Sequence, residues 1–292
     1  MPSSSNQSGK ILVIGASGGV GRCLMRQLLD RGYTVLGSAV DDGDLDNMVQ
    51  DGFGTADIFA ADFSSAEIGA QEVRNALERG GEPLTAVISC IGINPCGPVE
   101  TTPLALFRRT MEINTLSNLA IYQATLPEMR ANRGRFIFVS SMAGKLALPL
   151  LGYYAASKFA LEGLADTMRL EAGQWGIPVS LIEPGAIATG MVHGFASQLE
   201  SSLAQLDEEG RQNYGDYFAQ QRAFSLGSGT GAIPPDDVAK VIVEVLESDA
   251  PKARYPVGSA VPLLDLRRSS TDREFDAVLN DMLPGSRAVS AG

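Results

Sequence analysis

The stretch KILVIGASGGVGRCLMRQLLD, residues 10–30, decides the fold. Residues 10–15, KILVIG, read as a buried strand. The turn Gly15-Ala16-Ser17-Gly18-Gly19-Val20-Gly21 follows. Val20, Leu24 and Leu28 then recur at i, i+4 and i+8, which predicts a helix. A strand, a glycine turn and a helix in this order form the setting of a phosphate-binding turn. Glycines let backbone approach a pyrophosphate, and the helix N-terminus offers free N–H groups and a partial positive charge. A tight turn without a ligand is the plain alternative. The spacing fits both GxxxGxG and GxxGxxG, so it does not choose between subfamilies.

Working outward, the same alternation repeats. Strands are predicted at residues 33–39, 57–61, 84–92, 135–140 and 178–183, with helices at 66–79, 104–130 and 154–175. An acidic loop is expected at residues 41–46. Repeated β-α units of this size predict a Rossmann-type α/β fold: a doubly wound parallel sheet with helices on both faces. Right-handed crossovers then set the ends of the first and fourth strands side by side, where ligands bind. From 190 to 233 the pattern weakens, suggesting one or two amphipathic helices in a mobile substrate lid. Pro234-Pro235-Asp236-Asp237 starts another helix, with Asp236 or Asp237 as its N-cap. A last strand is expected at 254–257. The reading is one catalytic domain over 10–283, with a disordered tail at 1–9 and a loose tail at 284–292.

The chain has 292 residues and a formal net charge of −11, which argues against nucleic acid and anionic membrane surfaces as partners. No apolar run approaches the roughly 18 residues of a membrane span. Cys23, Cys90 and Cys96 are an odd count without metal spacing, as suits a reducing compartment. Residues 1–9 lack the regions of a signal peptide. The cytoplasm is the expected location. The single histidine, His193, has no partner pattern, so no metal site is expected.

A second constellation carries chemistry. Ser140-Ser141 close the fifth strand, and Tyr154-Ala-Ala-Ser-Lys158 begins thirteen residues after Ser141. On a helix, Tyr154 and Lys158 share one face. A free phenol has a pKa of about 10, too high for a good base at neutral pH. A nearby ammonium stabilises the phenolate. Ser141 is placed to hydrogen-bond a reacting oxygen.

In order and spacing, these residues resemble the short-chain dehydrogenases/reductases. The matching parts are GASGGVG at 15–21, Asp62, Asn114 in EINTLS, SSMAG at 140–144, YAASK at 154–158 and PGAIAT at 184–189. The resemblance implies Tyr154 as acid/base, Lys158 as its activator and a ribose ligand, Ser141 as orienter of the substrate oxygen, and Asn114 as holder of a relay water. It implies cofactor contacts from Gly15, Ser17, Gly18, Gly19, Val20, Gly21, Asp62, Phe63, Gly92, Tyr154, Lys158, Pro184, Gly185, Ile187 and Thr189. Asp62 would meet the adenine; Ile187 and Thr189 would meet the nicotinamide carboxamide.

Two departures stand out. Ser89-Cys90-Ile91-Gly92 replaces the family's Asn-Asn-Ala-Gly. At the end of the second strand, Ala39 and Val40 carry neither the usual acid of NAD enzymes nor the usual arginine of NADP enzymes. Asp41 and Asp42 follow, and carboxylates there repel a 2′-phosphate. The reading leans to NAD over NADP, with Asp41 at the ribose.

Residues 143–151, AGKLALPLL, together with Met191, Phe195, Leu199 and Phe218, would wall an apolar pocket. That favours a bulky hydrophobic secondary alcohol or ketone, whether aryl, steroid- or lipid-like. Core packing or a subunit contact is the plain alternative. The stretch also resembles the retinol and hydroxysteroid dehydrogenase branch, and the resemblance implies a homodimer or homotetramer. Two other functions remain open on sequence: a cofactor-retaining epimerase or dehydratase, and a non-catalytic dinucleotide sensor.

Overall fold

Strand β1, Lys10–Ile14, is buried along its whole length. Ile11 and Val13 enter one apolar cluster, Leu12 and Ile14 another. Side chains of a strand alternate between faces, so a strand apolar at successive positions needs cover on both. The computed structural model, which describes residues 9–54, 56–226 and 231–282, supplies that cover. Six further strands lie parallel to β1: β2 Thr34–Ala39, β3 Asp57–Ala60, β4 Leu84–Ser89, β5 Arg135–Val139, β6 Val179–Pro184 and β7 Arg254–Val257. Their order is β3-β2-β1-β4-β5-β6-β7. Leu12 pairs with Leu36 of β2 on one side and Val87 of β4 on the other. The order reverses between β1 and β4, as expected.

The helices are α1 Gly19–Asp30, α2 Asp42–Met48, α3 Ala66–Leu77, α4 Leu104–Met111, α5 Ser117–Asn132, α6 Gly152–Ala172, α7 Gly190–Ala204, α8 Glu208–Leu226, α9 Pro235–Glu247, α10 Ala260–Ser269 and α11 Asp272–Met282. Leu24 and Leu28 of α1 and Ile242 of α9 pack with Ile11 and Val13. Val73 of α3, Ile121 of α5 and Leu161 of α6 pack with Leu12, Phe136 and Phe138 on the opposite face. Each fully buried side chain of this kind contributes about 1.5–3 kcal/mol. No helix among the described residues is long and apolar enough to cross a membrane.

Several elements differ from their sequence reading. The acidic run is a helix, not a loop: Asp41 accepts a hydrogen bond from the Asp44 N–H, and Asp42 and Asp44 occupy the first turn of α2. Carboxylates are favourable there because they oppose the helix dipole. The N-cap of α9 is Pro234, not Asp236 or Asp237, because Pro235 already fills the first helical position. The long helix at 104–130 is split into α4 and α5 by a π-helical turn, Glu112–Leu116. The weakly patterned segment forms two helices, α7 and α8. The sequence reading places no helices at α10 and α11, although in α11 Thr271 and Glu274 form a capping box and Phe275, Val278, Leu279 and Met282 follow helical spacing. Residues 1–8 and 283–292 lie outside the described residues, as do the side chains of Met191 and His193.

Candidate active site

The glycine turn leaves β1 through Gly15, whose φ of +76° suits glycine. The Gly15 N–H donates to Ser38 Oγ at 3.0 Å, anchoring the turn on β2. Gly18 is the N-cap of α1 without a side-chain cap, and the first turn carries no acid. The leading N–H groups of α1 therefore stay available to an anion. Across the turn lies Thr189, the extended N-cap of α7. A Cβ on Gly19 would sit 2.7 Å from Thr189 Cγ2, so the two segments touch only because residue 19 is glycine. Ile187 bridges to Ile233 just before it. Pro184 ends β6, and Gly185 lies against Ser259. The 184–189 segment and the 15–21 turn thus form one continuous surface. An uncapped helix end and a backbone cradle fit a dinucleotide's pyrophosphate.

The β2 end of this surface departs from expectation in one detail. Asp41, expected at the ribose, is engaged as the cap of α2. Asp44 is the carboxylate on the glycine turn: Ser17 Oγ donates to its Oδ2 at 2.8 Å. Arg22 donates from Nε to the Ser17 carbonyl oxygen, and its guanidinium also pairs with Asp51. Asp62 is exposed and accepts from Ser64 N–H and Oγ at 2.8 and 2.7 Å. Those bonds, with Arg109 nearby, hold its carboxyl below the usual range. Phe63 is buried beside it, and its carbonyl accepts from Ser117 Oγ.

The third group gathers just past the C-terminal ends of β4 and β5. Ser141 heads a 3₁₀ turn, Met142–Gly144, and its Oγ accepts from the Ala143 N–H at 3.1 Å. Tyr154 and Lys158 share one face of α6, with the ammonium 5.9 Å from the ring centroid. Lys158 is 3% exposed and donates to the Val139 carbonyl at 2.9 Å. Burial pushes its pKa down to about 8, against the pull of Glu162 and Cys90. Burial also pushes the Tyr154 phenol up, and the neighbouring Ser141 hydroxyl opposes the rise.

Asn114 sits in the π-helical turn and is fully buried. Its Oδ1 accepts from the Ile93 N–H at 2.8 Å, while Nδ2 donates to the Ile93 carbonyl and to Ser157 Oγ, each at 2.9 Å. A Cβ on Gly92 would lie 3.3 Å from Asn114 Oδ1 and 3.4 Å from Lys158 Nζ. Gly92 therefore faces both. Cys90, two residues earlier, has its thiol pushed up to about 12 by burial, which makes it a poor nucleophile. Chemically, the group combines a phenol, a hydroxyl and a cation in low-dielectric surroundings, the equipment for moving one proton to or from an oxygen.

The expected apolar wall divides. Phe195, Leu199 and Phe218 of α7 and α8 cluster with Cys96 and Leu150. Leu146 turns instead toward Leu264 of α10 and Phe275 of α11. Polar links join α7 and α8 to the neighbouring loops: Ser202 Oγ to the Cys96 carbonyl at 2.9 Å, Gln221 Nε2 to the Pro149 carbonyl at 3.0 Å, and Tyr214 to Glu100 at 2.6 Å. Sequence reasoning misses Asp44 and Ser157. The signal for Asp44 is its i+3 spacing from Asp41; Ser157 lies inside the Tyr-Lys motif itself.

This geometry has counterparts among known proteins. Residues 9–200 match the family model described as short chain dehydrogenase. The mouse protein named short-chain dehydrogenase/reductase family 9C member 7 is 28% identical over 94% of this chain and 90% of its own. Human retinol dehydrogenase 5 is 29% identical over 94% and 88%, and the NADPH-dependent 3-dehydrocapnine reductase of Ornithobacterium rhinotracheale is 29% identical over 84% and 87%. A short-chain dehydrogenase structure from Streptomyces avermitilis superposes with a TM-score of 0.74 at 24% identity, covering 94% of this chain and 95% of that one.

Proposed function

The chain belongs to the short-chain dehydrogenase family and is an NAD(P)-dependent oxidoreductase; from that premise we propose that it interconverts a bulky, hydrophobic secondary alcohol and its ketone, with Tyr154 as the proton carrier. The observation that carries this reading is the placement of Tyr154 and buried Lys158 on one face of α6, with Ser141 beside the phenol and Gly92 and Asn114 facing the ammonium. A nicotinamide cofactor supplies the hydride chemistry when bound. The chain's own residues supply position and a proton. In oxidation, Tyr154 Oη takes the hydroxyl proton; in reduction it returns one to the carbonyl oxygen. Ser141 Oγ donates to that oxygen and keeps it within reach of the phenol. Lys158, charged at neutral pH, favours the phenolate once a proton is to be accepted. Asn114, locked by Ile93 and Ser157, holds the relay position beside Lys158.

Gly15, Ser17, Gly18, Gly19, Val20 and Gly21 would hold the pyrophosphate and the adjoining ribose, Asp62 and Phe63 the adenine, and Gly92, Pro184, Gly185, Ile187 and Thr189 the nicotinamide end. NAD is the preferred cofactor in this reading. Asp44 faces the turn at Ser17, and a carboxylate there repels a 2′-phosphate. Arg22, which bonds the Ser17 carbonyl, is already paired with Asp51. The apolar lid cluster supports a hydrophobic substrate. Exposed Phe159 and Leu170 on α6 fit a homodimer or homotetramer, and the cytoplasm is the proposed location. Neither the epimerase nor the sensor alternative has an observation of its own.

The test is nicotinamide absorbance across secondary alcohols from small aliphatic to steroid-sized, each with NAD and NADP. Turnover confined to bulky alcohols, and faster with NAD, is expected. Turnover of small polar alcohols alone would refute the substrate class, and a preference for NADP would refute the cofactor assignment.

A further inference from the structure

Glu162 lies one turn beyond Lys158 on the same side of α6. Its side chain is 3% exposed, and its Oε2 meets both Lys145 Nζ and Arg254 Nε at 2.9 Å. Lys145 is the residue that closes the Ser141 turn. Arg254 opens β7, binds Asp166 at 2.7 Å and stands 3.3 Å from Glu183 Oε1. Glu183 is fully buried and directly precedes Pro184-Gly185. One buried carboxylate thus joins the serine turn, the tyrosine helix and the strand edge leading to the expected nicotinamide segment.

The fit between turn and helix is close. A Cβ on Gly144 would lie 2.8 Å from Glu162 Cγ, 3.0 Å from Ser140 Oγ and 3.2 Å from the Lys158 carbonyl. The turn therefore lies directly on the Lys158–Glu162 segment of α6, and Lys145 pins its far end. Burying two carboxylates around one arginine is an expensive way to gain stability, since desolvation offsets much of the attraction. Its burial and the charge of Glu162 push the Glu183 carboxyl up to about 7, with Lys145, Arg254 and Arg268 opposing the rise. What the arrangement does secure is a fixed distance between the turn carrying Ser141 and the helix carrying Tyr154.

We propose that Glu162 is a positioning residue for the reaction: by holding Lys145 against α6, and being itself held by Arg254, it keeps the Ser141 hydroxyl aligned with the Tyr154 phenol. This rests on the reading of Ser141 and Tyr154 as the proton-transfer pair. The role needs no contact between Glu162 and substrate. It acts through the turn, so its removal should disturb kcat and the phenol's titration more than the binding of cofactor or alcohol.

The test uses Lys145→Gln, Glu162→Gln and the double variant. Lys145 is half-buried at the surface of the network, so its substitution leaves the fold intact. Turnover is measured at saturating cofactor and alcohol, per site counted by NAD binding. Each single variant should lose about tenfold to a hundredfold in kcat, the range a sub-ångström to ångström misplacement produces. The double variant should be no worse than the worse single, and cofactor Kd should stay within about threefold, as positioning through one shared contact requires. In the cofactor-free protein, the ultraviolet titration of Tyr154, identified by difference from Tyr154→Phe, should move to higher pH in both single variants. Wild-type kcat per site, or independent and multiplicative losses, would overturn the proposal, as would an unmoved phenol titration. A fall in Tm alone, with kcat per site intact, would make Glu162 merely structural. If Glu162→Gln fails to fold, Lys145→Gln decides by the same readings. Full activity in the clamp variants with an inactive Tyr154→Phe would remove only the positioning role; turnover surviving in Tyr154→Phe would remove the reading beneath it.

Discussion

At one end of the proposed cofactor site, Asn114 is fully buried and Lys158 is 3% exposed; at the other, Asp41 and Asp62 stand in solvent. Both ends are polar, yet they obey different physics. Hydrogen bonds among buried groups are strengthened by low dielectric, and a lost partner leaves a desolvated group unpaired. Exposed carboxylates act through water and salt, which weaken them over about 8–10 Å. The first end is therefore suited to chemistry, where a group must be held in one place. The second is suited to choosing between cofactors, where a modest repulsion is enough. Substitutions at the buried end should change rates by orders of magnitude, and substitutions at the exposed end should change preferences by small factors.

The sharpest separation of function from stability is Lys158→Met. Its turnover should fall by about a hundredfold to ten-thousandfold, the range of lost acid–base assistance. The cofactor-free protein should nevertheless melt no lower than wild type. The folded pKa of Lys158 is depressed from 10.5 to about 8, so the folded state binds its proton less tightly than the unfolded state. That penalty is complete below about pH 8 and fades as pH rises toward 10.5. A calorimetric Tm well below wild type at pH 7 would contradict it.

Next in size is Glu183→Gln. The folded pKa of Glu183 is raised from 4.5 to about 7. Its stability contribution is thus complete below about pH 4.5 and lost as pH rises through 7, for a total on the order of 3 kcal/mol. The variant cannot titrate there. Its Tm should gain on wild type by several degrees between pH 5 and pH 8. A difference independent of pH would show that Glu183 is ionised throughout.

The smallest effect belongs to the exposed end. Asp44→Asn should move the NADP/NAD ratio of kcat/KM about five- to tenfold toward NADP, roughly 1 kcal/mol of relieved repulsion. Asp41→Asn keeps the cap of α2, because an amide oxygen accepts the Asp44 N–H as a carboxylate does, and should shift the ratio less. If Asp41 moved the ratio more than Asp44, the assignment of the ribose carboxylate would be reversed.

Most of the buried end is legible in the sequence, because its signals are local. Gly15 to Gly21 follow a strand, and Tyr154 and Lys158 are one helical turn apart. The π-helical turn holding Asn114 leaves no trace there: five residues of wider winding inside a long helix alter no hydrophobic period. The Glu162–Arg254 contact joins residues far apart in the chain, so no spacing rule reaches it. The acidic run at 41–46 reads as a loop because loops and helix N-termini share a preference for aspartate, although the Asp41–Asp44 spacing marks a cap. Phe195, Leu199 and Phe218 are plainly apolar in sequence, but which residues they pack against depends on how α7 and α8 meet the loops bearing Cys96 and Leu150.

The role of Tyr154 as proton carrier is tested by single-turnover cofactor reduction by Tyr154→Phe, with NAD affinity measured on the same sample. NAD affinity should stay within about threefold of wild type while the rate falls by about a hundredfold or more, as removal of the acid/base requires. A rate near wild type at normal affinity would show that another group carries the proton.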